Sequence, residues 1–417
     1  MALIKSIQAR EILDSRGFPT IETIAILDNG IVVSSAVPSG TSMGAHEAVE
    51  IRDNQKNRYH GKGVLQAVQN VNAVIAPAII GMDATKQTLI DQTLVNLDGT
   101  PNKSKLGANA ILSVSQVAMK AGAAAVGLPL YEYFWQKYRF IAQLHMPTPI
   151  FNFINGGAHG AGNLDLQEFQ IVPASNKTYS VALQMGVELF FSLEELLIAK
   201  GSVHSVGIEG AFAPDLFSNT DAFQLLLELI SQSSYKLAQD LFLSVDAGAN
   251  YFHKNGKYKL RDRNESYSTQ ELIEYYRNLN QQYHVFAVED GLFEDDFEGW
   301  KKMTAELQSQ MLIIGDDFLT TNKTHVLKAI QEHACTAVLV KPNQIGTVSE
   351  TVEVVKIAKD AGWQVVFSHR SGETTDDFIA DMAVGLGGDY VKFGAPNRGE
   401  RVAKYNRLLK IESEISR

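Results

Sequence analysis

Six apolar segments in the second half of the chain each end in a side chain that can bind a metal or move a proton. These side chains belong to Asp246, Glu289, Asp316, Lys341, His369 and Lys392. Carboxylate oxygens are ligands that Mg²⁺ prefers, and lysine and histidine are common general bases. Any one of these charges alone would be typical of a solvated surface residue. The six together predict a site that combines a metal ion with proton-transfer groups.

The segments that carry these residues are typical of buried strands. Runs such as FLSVD and TAVLVK are short and rich in Val and Leu, as expected of strands covered on both faces. Because a lone charge is costly to bury, it belongs at the end of such a strand. Helical patterns fill the intervals between the segments, and Ser268 followed by Glu271 is a capping-box signature for one of these helices. Intervals near 25 residues fit one βα unit each, so the pattern predicts an α/β barrel with the six side chains on its active face.

The first part of the chain does not show this alternation of strands and helices. Residues 3–9 and 21–37 are predicted strands, and Asp28-Asn29-Gly30 between them is typical of a hairpin turn. Helical patterns follow, so we predict a small α+β capping domain over residues 1–130. A proline-rich turn at Pro147 and Pro149 opens the larger domain, which we predict over residues 140–417.

Composition narrows the classes of function. The chain has 417 residues, a formal net charge of −10 and 45% hydrophobic residues, which disfavours a general nucleic-acid role and fits a globular protein of two domains. The single Cys335 excludes an internal disulfide and fits a reducing cytoplasm. We see no signal-peptide pattern and no run of 18 apolar residues, so we expect a cytoplasmic protein without a membrane partner.

Several longer motifs occur in an order that resembles the enolase family along almost the whole chain. They are EILDSRGFPTIE, VPSGTSMGAHEAVEIRD, LGANAILSVS, MPTPIFNFINGGAHG, LDLQEF, VEDGL, GDD, KPNQIGTVSET, SHRSGET and RVAKYN. The resemblance implies a small N-terminal α+β domain and a modified (β/α)8 barrel with the order ββαα(βα)6. It also implies a glycolytic lyase that dehydrates 2-phosphoglycerate to phosphoenolpyruvate with two Mg²⁺ ions, the second arriving with substrate. Members of the family are usually dimers or larger, so we expect a homodimer or higher homo-oligomer.

The resemblance also assigns roles to individual residues. Asp246, Glu289 and Asp316 would hold the first magnesium, and Ser42 would join the second. Lys341 would be the general base and Glu209 the general acid, with Glu168 beside it. The expected contacts to a small phosphorylated carboxylate come from His159, Gln167, His369, Arg370, Ser371 and Lys392.

These roles carry physical requirements. Lys341 must be uncharged to accept a proton, and we expect nearby magnesium and Lys392 to favour that form. Glu209 must carry a proton, and we expect the neighbouring Glu168 to keep it there. The loop 39–44 has glycines at two hinge-like positions and is expected to close over the substrate.

The chain departs from the family pattern near the acid. Ile208 replaces an Asp, and Ala211 replaces a Gly whose loss would strain the loop if that position needs a positive φ. Phe393 replaces a smaller residue, and we expect it to crowd the pocket. Two alternatives therefore stay open. One is an enolase paralogue that acts weakly or on a related phosphorylated or phosphonate carboxylate, and the other is a non-catalytic binding protein with the same fold.

Overall fold

The computed structural model describes residues 2–40, 44–160, 162–261 and 264–416. The N-terminal part contains an antiparallel sheet of three strands with the order β1-β2-β3. Its strands and the helices that cover them are β1 Ile4–Leu13, β2 Pro19–Leu27, β3 Val32–Ala36, α1 Leu65–Asn70, α2 Ala76–Ile79, α3 Gln87–Asp98, α4 Ala108–Ala125 and α5 Leu130–Tyr138. A π-helical turn, Val71–Ile75, joins α1 to α2.

Local sequence explains this sheet. Gly30 has a φ of +87° in the turn between β2 and β3, a conformation that glycine adopts without strain. Ile21, Ala25 and Leu27 alternate along β2 and are fully buried against the helices. Most of α4 is also buried, and a side chain at Gly122 would come within 2.8 Å of the Ala84 carbonyl oxygen. The small residues of α4 therefore allow it to pack closely against its neighbours.

The C-terminal part is a closed barrel of eight strands. In chain order its elements are β4 Thr148–Asn155, β5 Glu168–Pro173, α6 Tyr179–Ala199, α7 Asn219–Ser231, β6 Leu241–Asp246, β7 His253–Lys254, β8 Lys257–Tyr258, α8 Thr269–Tyr283, β9 Val285–Glu289, α9 Phe297–Leu307, β10 Leu312–Gly315, α10 Lys323–Gln331, β11 Ala337–Val340, α11 Val348–Asp360, β12 Gln364–Ser368, α12 Phe378–Gly385, β13 Tyr390–Lys392 and α13 Gly399–Ile415. Strands β7 and β8 form a separate small hairpin.

The order around the barrel is β10-β11-β12-β13-β4-β5-β6-β9. Strand β5 is antiparallel to both β4 and β6, and the other neighbours are parallel. The predicted fold class and the order ββαα(βα)6 are confirmed. Apolar side chains such as Ile150, Val172 and Leu339 fill the barrel interior. The polar side chains of the site therefore lie at the carboxyl ends of the parallel strands.

The two parts of the chain meet at the mouth of the barrel. Ser39 and Gly372 exchange two backbone hydrogen bonds, and the Ser15 amide donates to the Glu373 carbonyl. Helix α5 packs on α12, and the Tyr131 amide donates to the Asp381 carboxylate. Most of the N-terminal core and the barrel core are separate hydrophobic clusters, while the residues of α5 belong to the barrel cluster. The boundaries at residues 130 and 140 stay predictions.

The described helices offer little that could span a membrane. No single helix among them is long and apolar enough to cross a bilayer. The consecutive helices α4 and α5 are long and apolar enough only when taken together, and they are bent by 92° relative to each other.

Candidate functional site at the mouth of the barrel

A polar cleft lies at the carboxyl ends of the barrel strands. It is lined by His159, Gln167, Glu168, Glu209, Asp246, Gly248, Asp290, Asp316, Asp317, Lys341, Ser368, His369, Arg370, Ser371 and Lys392. All but two of the predicted site residues are in this set. Glu289 lies directly behind it, and Ser42 lies outside the described residues.

Strand register brings three carboxylates around one lysine. Glu168 on β5 pairs with Asp246 on β6, and Asp246 pairs in turn with Glu289 on β9. The Lys392 ammonium donates to Asp246 at 2.9 Å and to Glu289 at 2.8 Å, and it lies 3.2 Å from Glu168. Although burial lowers the pKa of Lys392, these carboxylates raise it well above its ordinary value. Lys392 is therefore charged and neutralises part of a strongly acidic cluster.

A second lysine lies on the neighbouring acid. The Lys341 ammonium contacts Asp316 Oδ2, and the Gln344 amide donates to Asp316 Oδ1 at 2.9 Å. Burial and the Arg370 charge lower the pKa of Lys341, but Asp316 outweighs them and raises it. Without a metal ion, the carboxylate partner stabilises the ammonium form of Lys341, and the effect of a nearby magnesium on this lysine stays a prediction.

Asp290 holds the backbone of the two neighbouring acids, Asp316 and Asp317, in position. Its two carboxylate oxygens accept the amides of Asp316 and Asp317 at 2.9 and 2.8 Å. Burial, followed by the charges of Asp317 and Asp316, raises the pKa of Asp290 well above its ordinary value. Burial and Asp316 likewise raise the pKa of Asp317 to about 7. These two residues are buried supports of the site and not solvent-facing acids.

The donor set fits a divalent cation. Seven carboxylates around the cleft are buried, namely Glu168, Glu209, Asp246, Glu289, Asp290, Asp316 and Asp317. The cations in the cleft, Lys341, Lys392, Arg370 and His159, are fewer than these acids, and unpaired buried charge is costly. Ligand oxygens of Asp290, Asp316 and Asp317 lie within 4.8 Å of one another. The acidic residues could hold a metal, and Asp316 is common to this group and to the predicted set.

The predicted acid lies in a different half of the cleft. Glu209 Oε2 accepts from the Asn152 amide at 3.2 Å and lies 3.4 Å from His159 Nδ1. The same His159 nitrogen lies 3.2 Å from Glu168 Oε1. Neither ring nitrogen of His159 has a well-aligned hydrogen-bond partner among the described residues. The ring is therefore held between two carboxylates while its donors remain available to a ligand.

The charges in this half of the cleft favour a proton on His159 over one on Glu209. Burial lowers the pKa of His159, but Glu209 and Glu168 outweigh it and raise the pKa to about 10. Burial raises the pKa of Glu209, but His159 outweighs it and holds the pKa well below its ordinary value. The expectation that Glu168 keeps Glu209 protonated is therefore not met, because a histidine between the two carboxylates takes the proton.

His369 contacts the acid from the other side. Its Nε2 lies 3.8 Å from Glu209 Oε1, and its Nδ1 lies 2.6 Å from the Arg401 guanidinium. Burial and the Arg401 charge lower the pKa of His369 well below its ordinary value. The two histidines beside Glu209 thus differ: His159 is charged and His369 is neutral.

The Arg370 guanidinium is held at the rim of the cleft by the N-terminal part. It donates to both carboxylate oxygens of Glu47 at 2.9 and 3.2 Å, and to Asn343. Burial lowers the pKa of Arg370, but Glu47 outweighs it and raises the pKa further above its already high value. Ser371 follows Arg370 and is also buried in the cleft. Arg370 therefore offers a fixed planar donor set of the kind that suits phosphate.

Local contacts hold Gln167 and both ends of the loop 39–44 in position. Gln167 packs so tightly on Gly248 that a side-chain carbon at that glycine would lie 1.9 Å from Gln167 Nε2. Gly44 donates its amide to Glu47 at 3.1 Å, and Ser39 is anchored to Gly372. These contacts define both ends of the segment predicted to close over substrate. Its centre, including Ser42, lies outside the described residues.

Two of the three departures from the family pattern, Ala211 and Phe393, are accommodated without strain or crowding. Ala211 is not among the described residues with positive φ, and the positive φ of this loop, +89°, belongs to Gly210. The predicted strain at Ala211 is therefore absent. Phe393 is fully buried in the barrel core, with its ring 6.0 Å from the Tyr405 ring, and does not line the cleft. The expected crowding by Phe393 was wrong, because its side chain packs in the hydrophobic core beside Tyr405.

Sequence reasoning missed four residues that shape the cleft. They are Glu47, Asn152, Gln344 and Arg401. Each lies inside a motif that was recognised, but a single sequence contains no sign of which motif residues meet in space. Asn152 in particular looks like an ordinary strand residue within PIFNF.

Comparison with protein families agrees with this geometry. The family model described as the enolase N-terminal domain matches residues 4–134. The model described as the enolase C-terminal TIM barrel domain matches residues 143–417. The two matches cover nearly the whole chain, and members of this family are lyases that typically use a divalent metal. The chain therefore belongs to the enolase family.

Proposed function

We propose that this protein is a phosphopyruvate hydratase, which dehydrates 2-phosphoglycerate to phosphoenolpyruvate reversibly and with Mg²⁺. One observation carries the proposal. Lys341 follows β11 and Glu168 begins β5, strands that lie on opposite sides of the closed barrel. Glu209 adjoins Glu168 through His159. A base and an acid can therefore act on two faces of one bound substrate.

The metal would be held by Asp246, Glu289 and Asp316, with Ser42 as a ligand of a second ion. When bound, Mg²⁺ stabilises the negative charge that develops on the substrate carboxylate. Lys392 contacts two of these ligand residues and is the natural partner for one carboxylate oxygen of the substrate. Its positive charge favours an anionic group in the same place.

Lys341 is the proposed base for the proton at C2. Its ammonium form is stabilised by contact with Asp316. Removal of that contact would lower the pKa of Lys341, and the charges of Arg370 and Lys392 act in the same direction. Lys341 can accept a proton once Asp316 is engaged by another partner.

Glu209 is the proposed acid for the leaving 3-hydroxyl. Because His159 holds the proton in this half of the cleft, Glu209 must receive it before it can act. The two groups lie 3.4 Å apart, so a small rearrangement is enough for the transfer. Arg370 and Ser371 are the proposed phosphate contacts, and they fix the distance between phosphate and the two reacting carbons.

We propose a cytoplasmic, glycolytic enzyme that forms a homodimer or a higher homo-oligomer, with no nucleic-acid or membrane partner. The loop 39–44 is proposed to close over the substrate and exclude water.

The test is a direct assay of purified protein with 2-phosphoglycerate and Mg²⁺, following the ultraviolet absorbance of the enol phosphate. Rapid formation of phosphoenolpyruvate is the expected result. Magnesium-dependent binding of 2-phosphoglycerate without turnover would contradict it and favour a non-catalytic protein. Turnover only of a related phosphorylated or phosphonate carboxylate would favour a paralogue.

A further inference from the structure

Arg401 is a buried arginine that has no part in the proposed chemistry. It lies in the first turn of α13 and its side chain is fully buried. An arginine is permanently charged and is rarely buried without strong partners. The partners of its guanidinium therefore indicate what the residue does.

Those partners belong to the cleft. One terminal nitrogen, Nη1, contacts His369 Nδ1 at 2.6 Å and donates to the Arg370 carbonyl at 2.7 Å. The other, Nη2, donates to the Ser371 carbonyl at 2.6 Å and to the Ile208 carbonyl at 3.2 Å. One guanidinium thus joins the loop of the proposed acid to the segment of the proposed phosphate contacts.

The contact with His369 determines where the proton of its ring lies. A guanidinium has donors and no acceptor, so Nδ1 of His369 must be the acceptor. A neutral imidazole that accepts at Nδ1 carries its hydrogen at Nε2. That nitrogen lies 3.8 Å from Glu209 Oε1, at the wall of the cleft. The donor of His369 is therefore directed at the proposed acid and at the space beside it.

We propose that Arg401 is a positioning residue that fixes His369 in the Nε2–H tautomer and so presents a neutral hydrogen-bond donor beside Glu209. The inference deepens the proposed function, on which its consequence for catalysis rests. A neutral His369 donates a hydrogen bond without competing for the mobile proton that His159 and Glu209 share. Arg401 thereby gives the two histidines different tasks.

The wild-type protein supplies the first test. Protein labelled with ¹⁵N at histidine is examined by long-range ¹H–¹⁵N correlation spectroscopy, and a His369→Gln variant assigns the His369 signals. We expect a protonated Nε2 and an unprotonated Nδ1. A hydrogen on Nδ1 would overturn the proposal, and this readout does not depend on enzymatic activity.

Substitution of Arg401 supplies the second test. In Arg401→Lys we expect mixed tautomers at His369 and a fall in kcat of about 10- to 100-fold, the range that loss of an orienting partner causes at metal sites. The matched control is Arg407→Lys, on the same helix, where the arginine pairs with Asp381 away from the cleft. The control should keep both the tautomer and kcat.

The outcomes separate this inference from the proposed function. A single Nε2–H tautomer in Arg401→Lys would overturn the role of Arg401, whatever the activity. If Arg401→Lys does not fold, the wild-type spectrum decides. Absence of wild-type turnover would contradict the proposed function and leave the tautomer test in force.

Discussion

At the scale of single residues, the cleft has two halves, and in each half a basic side chain is paired with a carboxylate. In one half Asp316 stabilises a charged Lys341, and in the other His159 takes the proton from Glu209. Both proposed reactive groups are therefore one proton transfer away from their active forms. This arrangement follows from burial, since each buried carboxylate stabilises the charged form of the nearest basic group.

The buried carboxylate of Asp317 gives a testable dependence of stability on pH. Its folded-state pKa of about 7 lies above the ordinary value of about 3.9. The folded state then binds a proton that the unfolded state releases, so this group makes stability fall as pH rises from about 4 to about 7. In metal-free protein, Asp317→Asn should remove this part of the slope, which amounts to about 4 kcal/mol at most.

Denaturant unfolding in the presence of a chelator, repeated across this pH range, checks the Asp317 prediction. Asp215→Asn, which changes an exposed carboxylate, is the matched control and should keep the wild-type slope. An unchanged slope in Asp317→Asn would show that Asp317 is ionised throughout this range.

At the scale of elements, the sequence predicted the strands and missed the contacts between them. The apolar runs that end in Asp246, Glu289 and Lys392 became β6, β9 and β13, as expected. Their side chains meet because of register across the barrel, which local patterns do not contain. The proton positions of Lys341 and Glu209 could not be predicted for the same reason, since each depends on a partner from another strand or loop.

The acid loop gives one prediction at this scale. Ala211 has no positive φ and is fully buried, so Ala211→Gly removes a packed methyl group and adds freedom to the unfolded chain. We expect the free energy of unfolding to fall by about 1 kcal/mol, with no gain in activity. Denaturant titration and the kinetic assay check this, and a marked rise in kcat would show that the loop is strained after all.

The turn after β6 gives another prediction. Gly248→Ala would place a carbon 1.9 Å from Gln167 Nε2 and displace that side chain from the cleft. We expect KM for 2-phosphoglycerate to rise about fivefold, since one hydrogen bond contributes about 1 kcal/mol.

The matched control for Gly248→Ala is Gly256→Ala. Gly256 has a similar positive φ, +74°, with no atom within 4 Å of the added carbon. Both variants should lose about 1–2 kcal/mol of stability through backbone strain. If KM also rises in Gly256→Ala, strain and not displacement of Gln167 is the cause.

At the scale of the whole molecule, the N-terminal part completes a site that the barrel carries. Glu47 holds Arg370 at the rim, and the pairing of Ser39 with Gly372 anchors the start of the loop proposed to close. The cleft concentrates more carboxylates than cations, since four basic side chains, Lys341, Lys392, Arg370 and His159, line it beside the buried acids. The folded chain should therefore bind a divalent cation more strongly than the unfolded chain.

Removal of the metal tests whether the folded chain binds a divalent cation more strongly than the unfolded chain. Mg²⁺ at about 100 times its Kd should raise the free energy of unfolding by about 2.7 kcal/mol relative to chelated protein. Thermal unfolding with and without Mg²⁺ measures the effect. Asp316→Asn should abolish the shift and the control Asp215→Asn should keep it. An equal shift in both variants would place the ion elsewhere.

The central claim is that Lys341 and Glu209 act separately on two faces of one substrate. Exchange of the C2 hydrogen of 2-phosphoglycerate with deuterated solvent, measured beside phosphoenolpyruvate formation, tests it most directly. We predict that Lys341→Ala abolishes both processes, and that Glu209→Gln keeps exchange while dehydration falls by about 10²- to 10⁴-fold. Exchange that persists in Lys341→Ala, or dehydration that persists in Glu209→Gln, would contradict the claim.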